Sequence, residues 1–130
     1  MSMDRELYKG ISEAIEKNRP TLANKAVEIQ YDKFPESLAP YGARGKLKSL
    51  EDAEYNLKYL AEAIALGDQL LFTNHILWLN NILTGVKVPP VILFDHLKIL
   101  KEECIKEFPP AFSSITSAYL EHALNALEGT

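Results

Sequence analysis

Apolar residues recur at three- and four-residue steps along most of the chain, the period of helices that bury one face. Between Met3 and Lys17 they fall at Leu7, Ile11, Ala14 and Ile15, which predicts a short first helix. Asn18-Arg19-Pro20 then restarts the chain, because proline suits a first helical turn, where its missing N–H has no intrahelical partner to lose. A second short helix carrying Leu22, Ala26 and Ile29 is expected to stop before Pro35.

Residues 35–48 break the period with Pro35, Pro40, Gly42 and Gly45, and read as an irregular linker. Ser49-Leu50-Glu51-Asp52 then carries a hydroxyl followed three residues later by a carboxylate, the signature of a helix start. The helix it opens places Leu50, Ala53, Leu57, Leu60 and Ile64 on one face and ends at Gly67. Asp68 caps a further helix carrying Leu71, His75, Trp78 and Ile82, which runs to Gly85. Pro89-Pro90 opens a fifth segment with Leu93, Leu97, Leu100, Cys104 and Phe108 along one side, and Pro109-Pro110 closes it. The last helix, about residues 111–128, turns Phe112, Ile115, Tyr119, Ala123 and Leu127 inward. No run of alternating apolar and polar residues bounded by turn signals predicts a strand. The expected fold is a single all-α domain. A four-helix bundle over residues 49–128 follows the linker 35–48, with an N-terminal helical hairpin (1–34) packed against it.

Composition narrows the function classes. The 130 residues are 47% hydrophobic and 25% charged, the balance of a globular protein. A net charge of −4 excludes a generally cationic surface, so no nucleic-acid partner is expected. The single cysteine excludes an intramolecular disulfide and a cysteine-rich zinc site. No apolar stretch approaches the roughly 20 residues needed to span a bilayer, and Met-Ser-Met-Asp-Arg-Glu lacks the apolar core of a secretory signal. A cytoplasmic location is the expectation.

Candidate chemistry is sparse. His75 lies on the stripe between Leu71 and Trp78, and His122 follows Tyr119 by three residues on one helix face. His75, Trp78, Tyr119 and His122 therefore form a candidate ligand pocket of haem or other tetrapyrrole type; the competing reading makes His75 a hydrogen-bonded core residue. His96 falls beside the stripe of its helix, near the boundary. A di-iron site needs Glu-x-x-His on facing helices, and the residues three before the histidines are Phe72, Leu93 and Tyr119, so no metal is expected. Gly42-Ala43-Arg44-Gly45-Lys46 lacks the spacing of a phosphate loop. It leaves Arg44, Lys46 and Lys48 as a candidate anion contact beside a helix start, or as a solvated linker. Cys104 sits on an apolar stripe and reads as structural. Ser113, Ser114, Thr116 and Ser117 have no nucleophile elbow around them, so nothing singles out an enzyme.

The aromatic content, six Tyr, five Phe and one Trp, is high for a leucine-rich bundle. The helix before Gly85 is apolar on more than one side, which makes Phe72, Ile76, Leu79 and the later Phe94 candidate interface anchors. From Ala61 to Phe108, the Leu66-Gly67-Asp68 corner, the Gly85 stop and the helix after it resemble the helical cap of cobalamin-binding regulatory domains. The cap's Trp-x-x-Gly segment and the Asp-x-His-x-x-Gly cobalamin motif do not appear, so the resemblance implies a bacterial regulatory module without cobalamin. In length and class the chain is similar to globin-like bacterial sensor domains as well. The resulting expectation is a cytoplasmic regulatory or signalling domain without a cofactor, binding a protein partner as a homodimer. The alternative is a small-molecule or tetrapyrrole sensor with an interhelical pocket near His75.

Overall fold

Every regular element among residues 2–130, the residues described in a computed structural model of the chain, is helical. Five long helices, α1 (Ser2–Lys33), α3 (Gly42–Leu66), α4 (Gln69–Gly85), α5 (Pro90–Glu107) and α6 (Pro110–Glu128), account for most of it. A single turn, α2 (Pro35–Leu38), and a 3-10 turn at Ala39–Tyr41 connect α1 to α3. The α1 helix lies along α3 and also against α5, while α6 packs between α4 and α5. One continuous core joins Ile11 and Leu22 of α1 to Leu57 and Leu60 of α3, Phe72 and Ile76 of α4, Leu97 and Leu100 of α5 and Leu120 of α6. The all-helical class therefore holds, but the bundle over 49–128 does not stand apart from what precedes it. No described helix is long and apolar enough to cross a membrane.

The N-terminal hairpin is corrected by the structure. Residues 2–33 form one helix that runs straight through Pro20. An interior proline removes a backbone hydrogen bond and crowds the carbonyl four residues earlier, which normally breaks or kinks the helix. Here Pro20 is exposed, so water reaches the carbonyl it leaves free. Ile11, Ile15, Leu22 and Ala26 meanwhile stay in phase on one buried face, and their burial against α3 and α5 outweighs the local cost. Arg19 adds an ion pair to Glu16 at 2.9 Å and a longer one, 3.7 Å, to Glu54 on α3.

The linker is corrected too. Of residues 35–48, the first seven fold as the two short turns, and α3 already starts at Gly42 rather than at Ser49. Gly45 is needed for contact, not for flexibility: a Cβ there would lie 2.2 Å from the Cβ of Tyr41. Further on, Gly67 ends α3 at φ 65° and Asp68 caps α4 by accepting the Leu71 N–H at 3.3 Å. A Cβ on Gly67 would also meet the Tyr8 ring at 3.3 Å. Gly67→Ala is thus expected to lose about 1–2 kcal/mol from left-handed strain. Gly85, with nothing within 4 Å of a Cβ and an ordinary φ, tolerates the same change. Paired urea titrations of the two variants test the contrast.

Candidate functional site

The four residues expected to line one pocket lie on two different flanks of α4. His75 faces α3, where its ring stacks on Tyr59 with centroids 3.9 Å apart and planes 8° from parallel. Its Nε2–H donates to Asn56 Oδ1 at 3.0 Å, which fixes the proton on that nitrogen given the orientation of the amide. Trp78, one turn on, tilts 31° to the His75 ring at 5.8 Å and is 58% exposed. Partial burial holds the His75 pKa below its ordinary value, so the ring is neutral at pH 7. Tyr59, His75 and Trp78 thereby form an aromatic seam across α3 and α4, extended by exposed Tyr55 and Ile82.

Tyr119 and His122 belong to the other flank. His122 Nδ1 lies 2.6 Å from the hydroxyl of buried Thr73, a hydrogen bond that ties α6 to α4. Tyr119 is buried, and its pKa is raised by that burial and by nearby Tyr8 and Asp68. Helical spacing puts Thr73 and His75 on different sides of α4, so partners reached through them cannot share one pocket.

The expected interface anchors are mostly core. Phe72 and Ile76 are fully buried within the same chain, Leu79 is nearly so, and Phe94 is half-buried against the core. A helix that is apolar all round is central or at an interface; α4 buries Phe72 and Ile76 within the chain, where it packs on α3 and α6, and leaves Leu70, Trp78 and Ile82 exposed. The basic cluster is not a linker either. Arg44 is exposed on the first turn of α3, whereas Lys46 pairs with Glu28 at 2.8 Å and lies over the Tyr31 ring. Lys48 faces Asp52 at 3.5 Å and Glu51 at 3.8 Å. Two of its three charges are thus already answered by carboxylates.

A cavity of about 120 Å³ lies where the C-terminal end of α1 and the C-terminal half of α4 meet α3 and the start of α5. Leu38, Leu79, Leu83, Val88, Ile92 and Leu93 make its walls apolar. Gln30, Asp52, Asn56 and His96 supply polar groups. The Gln30 amide donates to the Ile92 carbonyl at 2.8 Å and closes the α1–α5 side. Burial raises the Asp52 pKa against the opposing pull of Lys48. His96, 7% exposed, is pushed down to about 4 by its burial and is neutral at pH 7. Its Nε2 and the Asn56 Nδ2 are buried and reach no protein partner. None of His75, Trp78, Tyr119 and His122 lines this cavity. The signal for it was present in the pattern: Asn56 and His96 each sit three residues past a buried apolar position, Ala53 and Leu93, and so on the inner face.

Cys104 is fully buried in the core, as its stripe implied, and does not reach the cavity. Burial, with Glu103 and Glu107 alongside, pushes its thiol up to about 12. Such a thiol is not a nucleophile at neutral pH.

A family model described as "Phycobilisome protein" matches residues 8–127, which reaches from the first third of α1 to the end of α6. No curated protein matches the chain. The match overturns the likeness to cobalamin-binding regulator caps and sensor domains, which rested on helix spacing common to many all-α folds. It likewise replaces the regulatory or signalling role with a light-harvesting family, and the expectation of no cofactor with the tetrapyrrole alternative.

Proposed function

Since this chain belongs to the phycobilisome protein family, we propose that it is a light-harvesting subunit acting as one helical domain, which holds an open-chain tetrapyrrole, a bilin, on the aromatic seam of α3 and α4. The bound group would supply absorption of visible light. The observation that carries the reading is the seam itself: stacked Tyr59 and His75 beside largely exposed Trp78 offer flat π-faces to a conjugated ring system. Exposed Lys58, next to Tyr59, offers a cation for the carboxylates such pigments carry.

Bilins in this family are attached covalently, and the residues of this chain do not fit that attachment through sulfur. Cys104 is its single thiol, it is sealed in the core, and it touches neither seam nor cavity. The proposal is therefore a pigment held by stacking and charge. Trp78 is the sole tryptophan, which makes the test direct. Titration of the protein with biliverdin is expected to quench Trp78 fluorescence saturably and to shift the pigment's visible band. Acidic urea and solvent should then extract all the colour. Trp78→Ala and Tyr59→Ala should each weaken binding at least about tenfold, the size expected for losing one stacked ring. Absence of quenching and of any band shift would remove the reading.

Assembly with further subunits is part of the same proposal, a second copy of the chain in the cytoplasm being the simplest. It is supported by exposed apolar residues that the core leaves uncovered, Leu66 and Leu70 at the α3–α4 corner among them. Light scattering that finds a monomer at high concentration excludes the homodimer.

A further inference from the structure

A second pocket lies where the last turns of α4, the start of α5 and the end of α6 meet. Helical spacing puts Pro90, Val91 and Phe94, which line it, on the opposite face of α5 from Ile92, Leu93 and His96. It shares no lining residue with the cavity at His96 or with the aromatic seam. We infer that it is a binding site for a compact, uncharged aromatic molecule with one N–H donor on its edge, as an indole has.

The anchor is Asn80. Phe72, Ile76 and Asn80 follow one another at four-residue steps on the buried stripe of α4, and an amide stands where the pattern calls for a third apolar side chain. Asn80 is 8% exposed, and its Oδ1 is buried without a hydrogen-bond partner among the described residues. The hydroxyl one turn on does not relieve it, because Thr84 Oγ1 donates to the Asn80 backbone carbonyl at 2.7 Å instead. A buried acceptor left alone costs stability, so this amide calls for a donor from outside the chain.

Size and lining set the rest. Pro90, Val91, Phe94 and Leu127 complete the described lining, and all four are apolar. Exposed Pro90 and Val91 form the mouth, while Phe94 and Leu127 are half-buried. The volume is about 190 Å³. An engineered apolar cavity of about 150 Å³ takes up benzene, so a ring system of about eight or nine non-hydrogen atoms, the size of indole, fits here. A whole tetrapyrrole does not. Water entering from the mouth gives Oδ1 one hydrogen bond, but the four apolar side chains supply none of the further partners that a well-held water needs. A flat ring packs on Phe94 and replaces that water at no loss of partners.

With the amide in this orientation, Oδ1 only accepts, so the ligand donates. Charge is excluded on both signs. A carboxylate has no hydrogen to offer Oδ1. An ammonium group has one, but it leaves water for apolar walls and meets Lys98, whose Nζ lies 5.8 Å from the Phe94 ring centroid. Of the carboxylates beside the lining residues, Asp95 already has Lys98 and Lys33 near it, and Glu128 is exposed to water. A neutral aromatic N–H meets neither obstacle.

The test is an NMR titration of the isotopically labelled full chain with indole, set against benzofuran, which has the same outline with oxygen in place of N–H. The expected result is saturable shifts at the Asn80 side-chain amide and at the Val91 and Leu127 methyls. Benzofuran should bind at least about tenfold more weakly, because its oxygen leaves Oδ1 without a donor. Asn80→Leu restores the apolar stripe with a side chain of similar size, and it should bring indole down to the affinity of benzofuran. The comparison of the two rings on the wild-type chain decides the matter if that variant does not fold. Equal binding of the two rings by wild type, an indole preference that survives in Asn80→Leu, or no saturable shift at these three residues would overturn the site. Shifts confined to Tyr59 and Trp78, or to His96, would overturn it as well, since they place the ring elsewhere. Biliverdin binding at the seam is scored separately through Trp78 fluorescence, so either result stands without the other.

Discussion

Phe72→Ala is expected to cost about 3–5 kcal/mol, the largest single loss among the substitutions considered. Phe72 is completely buried, at 0% exposure, in the part of α4 that α3 and α6 enclose. Removing the ring deletes its share of the hydrophobic term and leaves a cavity that three packed helices cannot fully close. That loss is a large fraction of the 5–15 kcal/mol that stabilises an ordinary domain. A matched Trp78→Ala variant should stay within about 0.5 kcal/mol of wild type, because Trp78 is 58% exposed. Urea unfolding followed by circular dichroism separates the two, independently of any ligand. Equal losses at the two positions would mean that α4 does not bury the face assigned here.

The same pair of residues shows where reading the chain in one dimension stops. Apart from the start of α3, which lies at Gly42 and not at Ser49, periodicity placed the stops and starts from Gly67 onward correctly because each is local: Gly67 needs a left-handed φ, Asp68 caps its own third residue, and Pro90 and Pro110 open helices where no N–H is missed. Pro20 misled because its cost is local whereas its compensation is not; the in-phase stripe from Ile11 to Ala26 matters only once α3 and α5 cover it. Gly45 reads as a loop residue in the sequence, and its reason for being glycine is the Cβ of Tyr41 four positions earlier. Apolar excess on α4 could not say whether a neighbouring helix or a second molecule covers Phe72 and Ile76. The cover is α3 and α6 of the same chain, while residues 2–33 pack on α3 and α5 as one helix where the sequence suggests two.

The site was legible residue by residue and not as a constellation. His75 and Trp78 do share a surface, as their three-residue spacing on α4 requires. Tyr59, which completes that surface, lies on α3 and has no sequence signal beyond being aromatic. Grouping Tyr119 and His122 with them rests only on a bundle bringing some faces together, and which faces meet depends on crossing angles that hydrophobic period does not encode. Family membership is of another kind again. It rests on a pattern spread over residues 8–127, and none of its parts is a motif that one sequence isolates.

Acid is expected to weaken the fold through His96. In the native chain burial holds its pKa near 4, while the unfolded chain titrates it near the ordinary 6.5. Below 6.5 the unfolded state binds a proton that the native state refuses, so protonation favours unfolding. The contribution of His96 is thus fully present above about pH 6.5. It declines as pH falls from there to 4, then levels off once both states are protonated. With each unit of displacement worth 1.36 kcal/mol, the total is about 3 kcal/mol. His75 acts in the same direction, since burial lowers its pKa also. Asp52 and Asp95 act in the opposite one: burial holds their carboxyls above the ordinary range, and their protonation on acidification favours the native state. His96→Leu isolates the term by comparison. Urea unfolding at pH 7 and pH 4.5 should show the wild-type chain losing about 2–3 kcal/mol more between the two than the variant does. The variant starts with an apolar side chain against Leu79, Leu83 and Leu93 and no imidazole to protonate. A variant with the same acid sensitivity as wild type would mean that water reaches His96 in the native state, and with it the polar corner of the cavity.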